Sequence, residues 1–219
     1  MHPPEPTLTK TEVVEVYARV ARFYDLWGRL TETRARRRAL ELARVRDGES
    51  VLEVAVGTGL AFAELLRRNP TGRNEGIDLT EAMLLRAREK AERSSAKNWR
   101  LRVGDAYHLD FTPATFDLLL NCYMFDLLPQ ADFDRVLTEF HRVLKPGGRL
   151  VVVSLAPGDG VISRLWSHVH RLRPTWVGGC RGVQLAERVR AAGFTIETSE
   201  RVSQFGVPSE VIVARSIRQ

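Results

Sequence analysis

A short apolar run that leads directly into a pair of glycines constrains the fold of this chain more than any other feature. Residues 50–56 read Ser-Val-Leu-Glu-Val-Ala-Val, and Gly57-Thr58-Gly59 and a helical segment at residues 60–68 follow at once. A strand, a glycine loop and a helix in this order place backbone N–H groups and the positive end of a helix beside a ligand. We therefore expect an α/β fold with a ligand at the carboxyl end of this strand.

The rest of the chain alternates short apolar runs with segments of helical period, which is typical of a doubly wound parallel sheet. The last two predicted strands are joined by a short connection, which predicts an antiparallel hairpin at one edge. We predict further strands at residues 74–79, 101–103, 116–121, 149–155, 194–200 and 209–214, and helices at residues 10–24, 33–45, 130–144 and 183–192 together with one that Thr80 caps.

The length of 219 residues favours a single domain, covering residues 1–219. Residues 1–9 are rich in proline and are expected to form a flexible tail, and residues 10–46 are expected to form N-terminal helices. Residues 157–182 contain Trp166 and Trp176 and follow neither the helical nor the strand period. We interpret this last segment as an irregular cover over a substrate.

The charge of the chain is basic, with a formal net charge of +6 and an isoelectric point near 9.8. Such a balance attracts phosphates, anionic lipid or nucleic acid, or it reflects a solvated helix face. The apolar runs are too short to cross a bilayer, so any membrane contact is expected to be peripheral, at the inner face. Many of the arginines lie close together, at Arg34, Arg36, Arg37, Arg38, Arg44 and Arg46.

The cysteines and histidines do not form the pattern of a metal site. Cys122 and Cys180 lie far apart, which suggests neither a zinc site nor a disulfide framework and fits a reducing cytoplasm. His168 and His170 are two residues apart, so they point to different sides of a helix. We therefore expect no metal.

The residues around the glycine loop narrow the choice of ligand. Asp78 ends the next predicted strand, about 20 residues after the glycines, where an acid accepts hydrogen bonds from ribose hydroxyls. The third glycine of the dinucleotide fingerprint is replaced by Phe62, which disfavours a pyrophosphate and a nicotinamide-dependent oxidoreductase. Glu53 would be costly to bury without a partner, and we expect it to face the cationic end of a cofactor directly or through water. S-adenosylmethionine (SAM), a nucleoside without a pyrophosphate, fits this set.

Several segments resemble the motifs of the class I SAM-dependent methyltransferases. Residues 51–59 resemble the first motif, residues 76–84 the second and residues 104–106 the third, while residues 116–117 and 143–150 complete the set. The match spans about residues 17–155 and is nearest to the ubiquinone/menaquinone-biosynthesis methyltransferase group. The opening Phe23-Tyr24-Asp25 also resembles that group, whereas Ala55 and Val56 replace the commoner glycine and cysteine of the first motif.

The resemblance implies a Rossmann-like, doubly wound seven-stranded sheet with an antiparallel last strand, N-terminal helices and a lid-like insertion after the fifth strand. It also implies SAM as cofactor and S-adenosylhomocysteine as product. Carried over by position, the cofactor-binding residues are Gly57, Thr58 and Gly59 at the methionine end, Asp78 at the ribose, Leu79 and Met83 on the adenine, Asp105 and Ala106 at the adenine edge, Asn121 near the methyl donor, and Tyr24 closing over the cofactor.

Methyl transfer from a sulfonium mainly requires alignment of acceptor and methyl group and exclusion of water. A base is needed only when the acceptor is a carbon or hydroxyl acid, and the candidates are Tyr24, Tyr123, Asp126 and His108. We expect a small or lipid-like acceptor such as a quinol precursor. Alternatives are a phospholipid amine or a small thiol, amine or phenol, and a non-catalytic SAM-binding protein stays open.

A nucleic-acid substrate is disfavoured despite the basic charge. The segment after Asn121 lacks the proline-rich aromatic motif of enzymes that methylate base amino groups.

Overall fold

The computed structural model describes residues 11, 12, 15, 31–157 and 182–217, and within them seven strands form one sheet. The strands are β1 (Ser50–Val54), β2 (Arg73–Asp78), β3 (Trp99–Val103), β4 (Phe116–Cys122), β5 (Leu144–Leu155), β6 (Phe194–Gln204) and β7 (Val207–Ser216). The helices are α1 (Thr33–Leu42), α2 (Leu60–Arg68), α3 (Glu81–Ala91), α4 (Phe133–Val143) and α5 (Ala186–Ala191), with single 3-10 turns at Phe125–Leu127 and Gln130–Asp132.

The strand order is β3-β2-β1-β4-β5-β7-β6, and β7 runs antiparallel to both of its neighbours. The other described pairs, from β3 to β5, are parallel. This confirms the predicted doubly wound, Rossmann-like sheet with an antiparallel last strand. The chain winds outward in one direction from β1 and in the other from β4, so the switch point lies between these two strands, where such sheets bind ligands.

Both faces of the sheet are covered by helices, as the continuous apolar run in β4 predicted. Leu118, Leu119 and Leu120 are all fully buried, at 0% exposure. Leu119 packs in the core with residues of α4, whereas Leu118 and Leu120 pack in the core with residues of α1, α2 and α3. A strand without a polar face is stable only in such a three-layer arrangement.

In dinucleotide-binding folds, a third glycine lets the first helix pack closely on the sheet. In this chain a different glycine allows the close packing. Phe62 of α2 is buried against β2, and a Cβ atom added to Gly76 would lie 3.1 Å from Phe62 Cε2 and 2.7 Å from Val56 Cγ2. The bare backbone of Gly76 therefore makes room for the aromatic ring. Helix and strand fit closely because the glycine is on the strand rather than on the helix.

The structure differs from the sequence predictions mainly at the ends of elements. The predicted helix at residues 183–192 begins only at Ala186, and β5 begins at Leu144 rather than at residue 149 because Leu144 pairs with Phe116 before an irregularity in register. Thr80 stands at the N-cap of α3, but its side chain makes no capping hydrogen bond. Its carbonyl accepts the first helical bonds from Met83 and Leu84 instead.

The predicted tail at residues 1–9, most of the helix at residues 10–24 and the cover at residues 158–181 lie outside the described residues. The two ends of the cover segment are described and lie side by side. Val183 donates a backbone hydrogen bond to Leu155 O at 2.9 Å, and a Cβ added to Gly182 would lie 2.8 Å from Pro157 N. The chain thus leaves the sheet at the carboxyl end of β5 and returns to the same place.

Much of the arginine cluster of α1 is used in ion pairs. Arg38 binds Glu200 of β6 with two hydrogen bonds of 2.7 and 2.9 Å, which fastens the helix to the sheet. Arg37 pairs with Glu41 within the helix at 3.2 Å. Exposed pairs of this kind contribute little to stability because solvent screens their charges. Each helix in the described part of the chain is too short or too polar to span a bilayer.

Candidate functional site

A cavity of about 420 Å³ opens at the switch point of the sheet. Its walls come from the glycine loop after β1, the end of β2, the loop after β3 and the segment after β4. Volumes of this order are typical of small-molecule and cofactor sites. The sheet therefore places a ligand-sized space where the sequence predicted one.

The glycine loop takes left-handed backbone conformations at three positions, Ala55 (φ +59°), Gly57 (φ +56°) and Gly59 (φ +83°). In this conformation a residue with a Cβ atom adds about 1 to 2 kcal/mol of backbone strain. This strain explains why glycine is the commoner residue at the position of Ala55. A Cβ on Gly59 would lie 2.7 Å from the Cα of Ala87 in α3, whereas a Cβ on Gly57 would meet nothing within 4 Å. Gly59 thus allows helix packing, and Gly57 keeps the cavity open.

Asp78 connects the glycine loop to the end of β2 and lines the cavity. Its Oδ2 accepts the Gly57 N–H at 2.7 Å, and its Oδ1 accepts the Thr80 N–H at 2.9 Å. Burial raises the pKa of Asp78, although these backbone hydrogen bonds act in the opposite direction. Since a carboxylate oxygen accepts more than one hydrogen bond, acceptor capacity is left for ligand hydroxyls.

Four residues predicted for the adenine, Leu79, Met83, Asp105 and Ala106, also line this cavity. Leu79 and Met83 come from the end of β2 and from α3, and Asp105 and Ala106 follow β3 directly. Asp105 Oδ1 accepts the backbone N–H of Tyr107 at 3.0 Å, which fixes the carboxylate at the wall. The structure therefore brings an apolar surface and an acid together at one end of the cavity.

Glu53 is 1% exposed and lies outside the cavity lining. Burial raises its pKa well above the usual value, with the positive charge of Arg36 opposing this effect and the nearby Asp78 adding to it. Among the described residues, Glu53 Oε2 has no hydrogen-bond partner. An unpaired buried carboxyl oxygen is costly and calls for a ligand or a proton.

Asn121 joins the two strands that flank the switch point. Its Nδ2 donates to Val54 O at 2.9 Å, so the ends of β4 and β1 are tied together directly beneath the cavity. The side chain is fully buried and also lies outside the lining. Thr58 and Gly59 likewise lie outside it, and the carbonyl of Thr58 accepts a hydrogen bond of 2.8 Å from Lys90 of α3.

The three candidate bases that the structure describes do not converge on one point. Tyr123 lines the cavity, but its hydroxyl lies 2.9 Å from Ser209 Oγ, and burial raises its pKa well above the usual value. Asp126 is buried, and its Oδ1 accepts the Leu155 N–H at 2.9 Å, which holds the end of β5. His108 is exposed and lies outside the lining. Tyr24 lies outside the described residues.

The lining residues that sequence reasoning missed include three with polar side chains, Tyr107, Asp132 and Arg135. The Tyr107 hydroxyl donates to Asp132 Oδ2 at 2.7 Å, and the Arg135 guanidinium lies 5.3 Å from the centre of the Tyr107 ring. These residues belong to a loop and to the beginning of a helix that are distant in sequence. The available signal was Asp132 at the start of the predicted helix, but such an acid is ordinarily read as a helix cap.

Comparison with known proteins assigns the family. The model of the family described as "Methyltransferase domain" matches residues 51–148. The demethylmenaquinone methyltransferase of Deinococcus radiodurans is 34% identical over an alignment of 221 positions. The alignment covers 89% of this chain and 89% of that protein. This chain belongs to the SAM-dependent methyltransferases. The predictions of family, fold and SAM as cofactor are confirmed.

Further relatives of this methyltransferase differ in substrate. A demethylmenaquinone methyltransferase of Thermus thermophilus is 36% identical over 146 residues, 65% of this chain and 65% of that protein, so the aligned part spans just under two thirds of that relative. A phosphatidylethanolamine N-methyltransferase of Cereibacter sphaeroides is 36% identical over 143 residues, 62% of this chain and 67% of that protein. The solved structure of the [4+2]-cyclase SpnF shares the fold, with a TM-score of 0.77 at 21% identity over 98% of this chain and 99% of that one.

The two loop glycines of the methyltransferase make a matched pair of variants. Both have positive φ, so alanine adds about 1 to 2 kcal/mol of backbone strain at each. Gly59→Ala additionally clashes with α3 and is expected to lower the midpoint of thermal unfolding more than Gly57→Ala does. Gly57→Ala is expected to weaken SAM binding at least tenfold in calorimetry, because its methyl group enters the cavity. Equal SAM affinity in Gly57→Ala and the wild type would contradict this picture of the loop.

Proposed function

We propose that this methyltransferase transfers the methyl group of SAM to a lipid-like acceptor of the quinol-precursor kind. The names of its relatives support this choice, since curated relatives from Thermus and Deinococcus are demethylmenaquinone methyltransferases. The observation that carries the proposal is the cavity at the switch point, which combines an open glycine loop, a half-buried acid and an apolar wall. That combination suits a nucleoside with a cationic tail.

The residues of this chain fit the cofactor. The open space beside Gly57 leaves room for the amino-acid end, and Asp78 has acceptor capacity for ribose hydroxyls. Leu79 and Met83 provide an apolar surface for a purine, with Asp105 at its edge. Glu53 is the carboxyl group that we assign to the ammonium end, directly or through water, since its Oε2 has no partner among the described residues.

When bound, SAM supplies a methyl group on a positively charged sulfur that needs no further activation. The protein then has to hold the acceptor in line and exclude water. Asn121 and Asp126 contribute by fixing the ends of β4 and β5, at 2.9 Å each from Val54 O and Leu155 N. The Tyr123 hydroxyl shares a hydrogen bond with Ser209 and keeps its proton near neutral pH, because burial raises its pKa. Tyr24, Asp126 and His108 stay as candidate bases.

The ends of the cover segment support a location for the acceptor. Pro157 and Gly182 adjoin at the carboxyl end of β5, and the segment that follows the neighbouring β4 carries the cavity-lining residue Tyr123, whose N–H donates to Val153 O of β5. We assign residues 157–182 to the acceptor side of the site on this ground. A phospholipid amine is the second candidate acceptor, because the Cereibacter relative is named a phosphatidylethanolamine N-methyltransferase.

Turnover with labelled SAM tests the proposal against its alternatives. We expect methyl transfer to a demethylated quinol at a rate well above those for phosphatidylethanolamine and for small thiols, amines or phenols. A thermal shift with SAM or S-adenosylhomocysteine but not NADH is the accompanying expectation, since a ligand at 100 times its dissociation constant stabilises by about 2.7 kcal/mol. Binding of SAM without turnover of any acceptor would favour a non-catalytic role, and preference for phosphatidylethanolamine would favour the second candidate.

Affinity for SAM is expected to depend on pH through Asp78. Burial raises the pKa of Asp78 above 3.8 in the free protein, and ligand hydroxyls favour its charged form. Affinity should therefore fall as the pH is lowered through that raised pKa, and binding should release protons in the same pH range. Calorimetry in two buffers of different ionisation enthalpy measures the release. Asp78→Asn should bind SAM more weakly and with less proton release, and undiminished proton release in this variant would contradict the assignment.

We also propose peripheral contact with an anionic membrane at the inner, cytoplasmic face. Phe205 and Gly206 form a two-residue hairpin between β6 and β7, and Phe205 is 76% exposed with φ +49°. β6 runs in the same direction as β5. The hairpin therefore lies on the side of the sheet where β5 ends, which is also the side of the cavity. Arg34, which is exposed, donates its backbone N–H to the side chain of the adjacent Gln204. An exposed aromatic beside a cation suits the interface of an anionic bilayer.

Phe205→Asn separates membrane contact from stability. Asparagine tolerates the left-handed conformation and is favoured before glycine in such turns, so stability should rise by about 1 kcal/mol in denaturant unfolding. Sedimentation with vesicles that contain phosphatidylglycerol should show weaker binding at the same time. Ile217→Ser is the control, because Ile217 is also exposed but follows β7 at the opposite edge. Equal vesicle binding by Phe205→Asn and the wild type would end this part of the proposal.

A further inference from the structure

The adenine end of the cavity is closed by a contact between two segments that are far apart in sequence. The Tyr107 hydroxyl, in the loop after β3, donates to Asp132 Oδ2, at the start of α4, over 2.7 Å. Both residues line the cavity. The hydrogen bond therefore bridges the rim between the loop that carries Asp105 and the turn that carries Leu128 and Pro129.

The position of Asp132 makes this contact unexpected for a purely structural acid. Asp132 is the N-cap residue of α4, yet its side chain makes no capping hydrogen bond. An aspartate at this position ordinarily stabilises its own helix by accepting a backbone N–H of the first turn. Here one carboxylate oxygen instead accepts a hydrogen bond from the Tyr107 hydroxyl. The capping hydrogen bond is thus replaced by a contact between two walls of the cavity.

Tyr107 is held from two further directions. Its backbone N–H donates to Asp105 Oδ1 at 3.0 Å. This hydrogen bond connects the tyrosine to the acid at the adenine edge. The Arg135 guanidinium stands 5.3 Å from the centre of the Tyr107 ring. Burial and the contact with Asp132 both raise the pKa of Tyr107, so the hydroxyl keeps its proton near neutral pH.

A second attachment joins the same loop to the same helix away from the cavity. Leu109 N–H donates to Glu139 Oε2 at 2.8 Å, and Arg142 donates to the carbonyls of Leu109 and Phe111 at 2.7 Å each. Three hydrogen bonds thus fix the far part of the loop to α4. The contact of Tyr107 with Asp132 differs from these three bonds because both of its residues line the cavity.

We propose that Tyr107 and Asp132 form a latch across the adenine end of the cofactor cavity, and that this latch sets how tightly the cofactor is retained. The inference rests on the assignment of this cavity to SAM made above. Tyr107 is a positioning residue in this scheme, since it acts by holding Asp105 and the rim. Opening the latch requires the hydrogen bond from Tyr107 to Asp132 to break, while the attachments at Glu139 and Arg142 keep the loop in place.

Tyr107→Phe removes the hydroxyl and keeps the ring that faces Arg135. We expect the dissociation constant of S-adenosylhomocysteine to rise about fivefold in calorimetry, the factor that corresponds to one hydrogen bond of ordinary net strength. The dissociation rate in surface plasmon resonance should rise by a similar factor. The KM for SAM should rise while kcat does not fall. Asp132→Ala should reproduce these changes, and the double variant should add little to either one.

Glu139→Ala is the matched control, because it removes an attachment between the same loop and helix away from the rim. It should lower the thermal unfolding midpoint and leave the affinity for S-adenosylhomocysteine unchanged. Equal weakening of binding by Glu139→Ala and Tyr107→Phe would overturn the latch in favour of general loop stability. Unaltered binding by Tyr107→Phe would overturn the latch alone, whereas a wild-type protein that binds no S-adenosylhomocysteine would overturn the cofactor assignment and the latch with it.

Discussion

The hydrogen bonds to Asp78 hold the two halves of the site together. One carboxylate oxygen accepts the N–H of Gly57 from the loop after β1, and the other accepts the N–H of Thr80 at the start of α3. A half-buried carboxylate is costly without such partners, and a glycine loop has no defined shape without an acceptor for its N–H groups. Each therefore stabilises the other. The shape of the cavity wall depends on these two hydrogen bonds, because they hold the glycine loop and the start of α3 against the end of β2.

A second set of contacts makes the site rigid from below. Asn121 ties β4 to β1 under the switch point, and Lys90 ties α3 to the carbonyl of Thr58. Both residues lie at the borders of elements rather than in their middles. The consequence is a floor whose position is fixed by side-chain hydrogen bonds between neighbouring elements. A site held in this way is pre-formed where the cofactor rests.

Sequence reasoning found the fold and the floor of the site because both depend on local patterns. The Gly57 and Gly59 pair, the acid at the end of β2 and the apolar run of β4 each follow from chain order alone, and all three have the predicted place. The contact between Tyr107 and Asp132 was out of reach, because no local period links residues 25 positions apart in a loop and a helix cap. The unpaired oxygen of Glu53 and the position of Tyr123 against Ser209 also required the packed sheet. Tertiary contacts between loops were therefore the part that sequence could not supply.

The neighbouring ends of residues 158–181 have an evolutionary consequence. Since the chain departs at Pro157 and returns at Gly182 within van der Waals contact, an exchange of the intervening stretch does not shift the register of β5 against β7. Closing a loop of twice the length costs only about 0.6 kcal/mol more in chain entropy. Residues 158–181 can thus vary in length and sequence between relatives while the strands of the sheet and the cavity at the switch point keep their geometry.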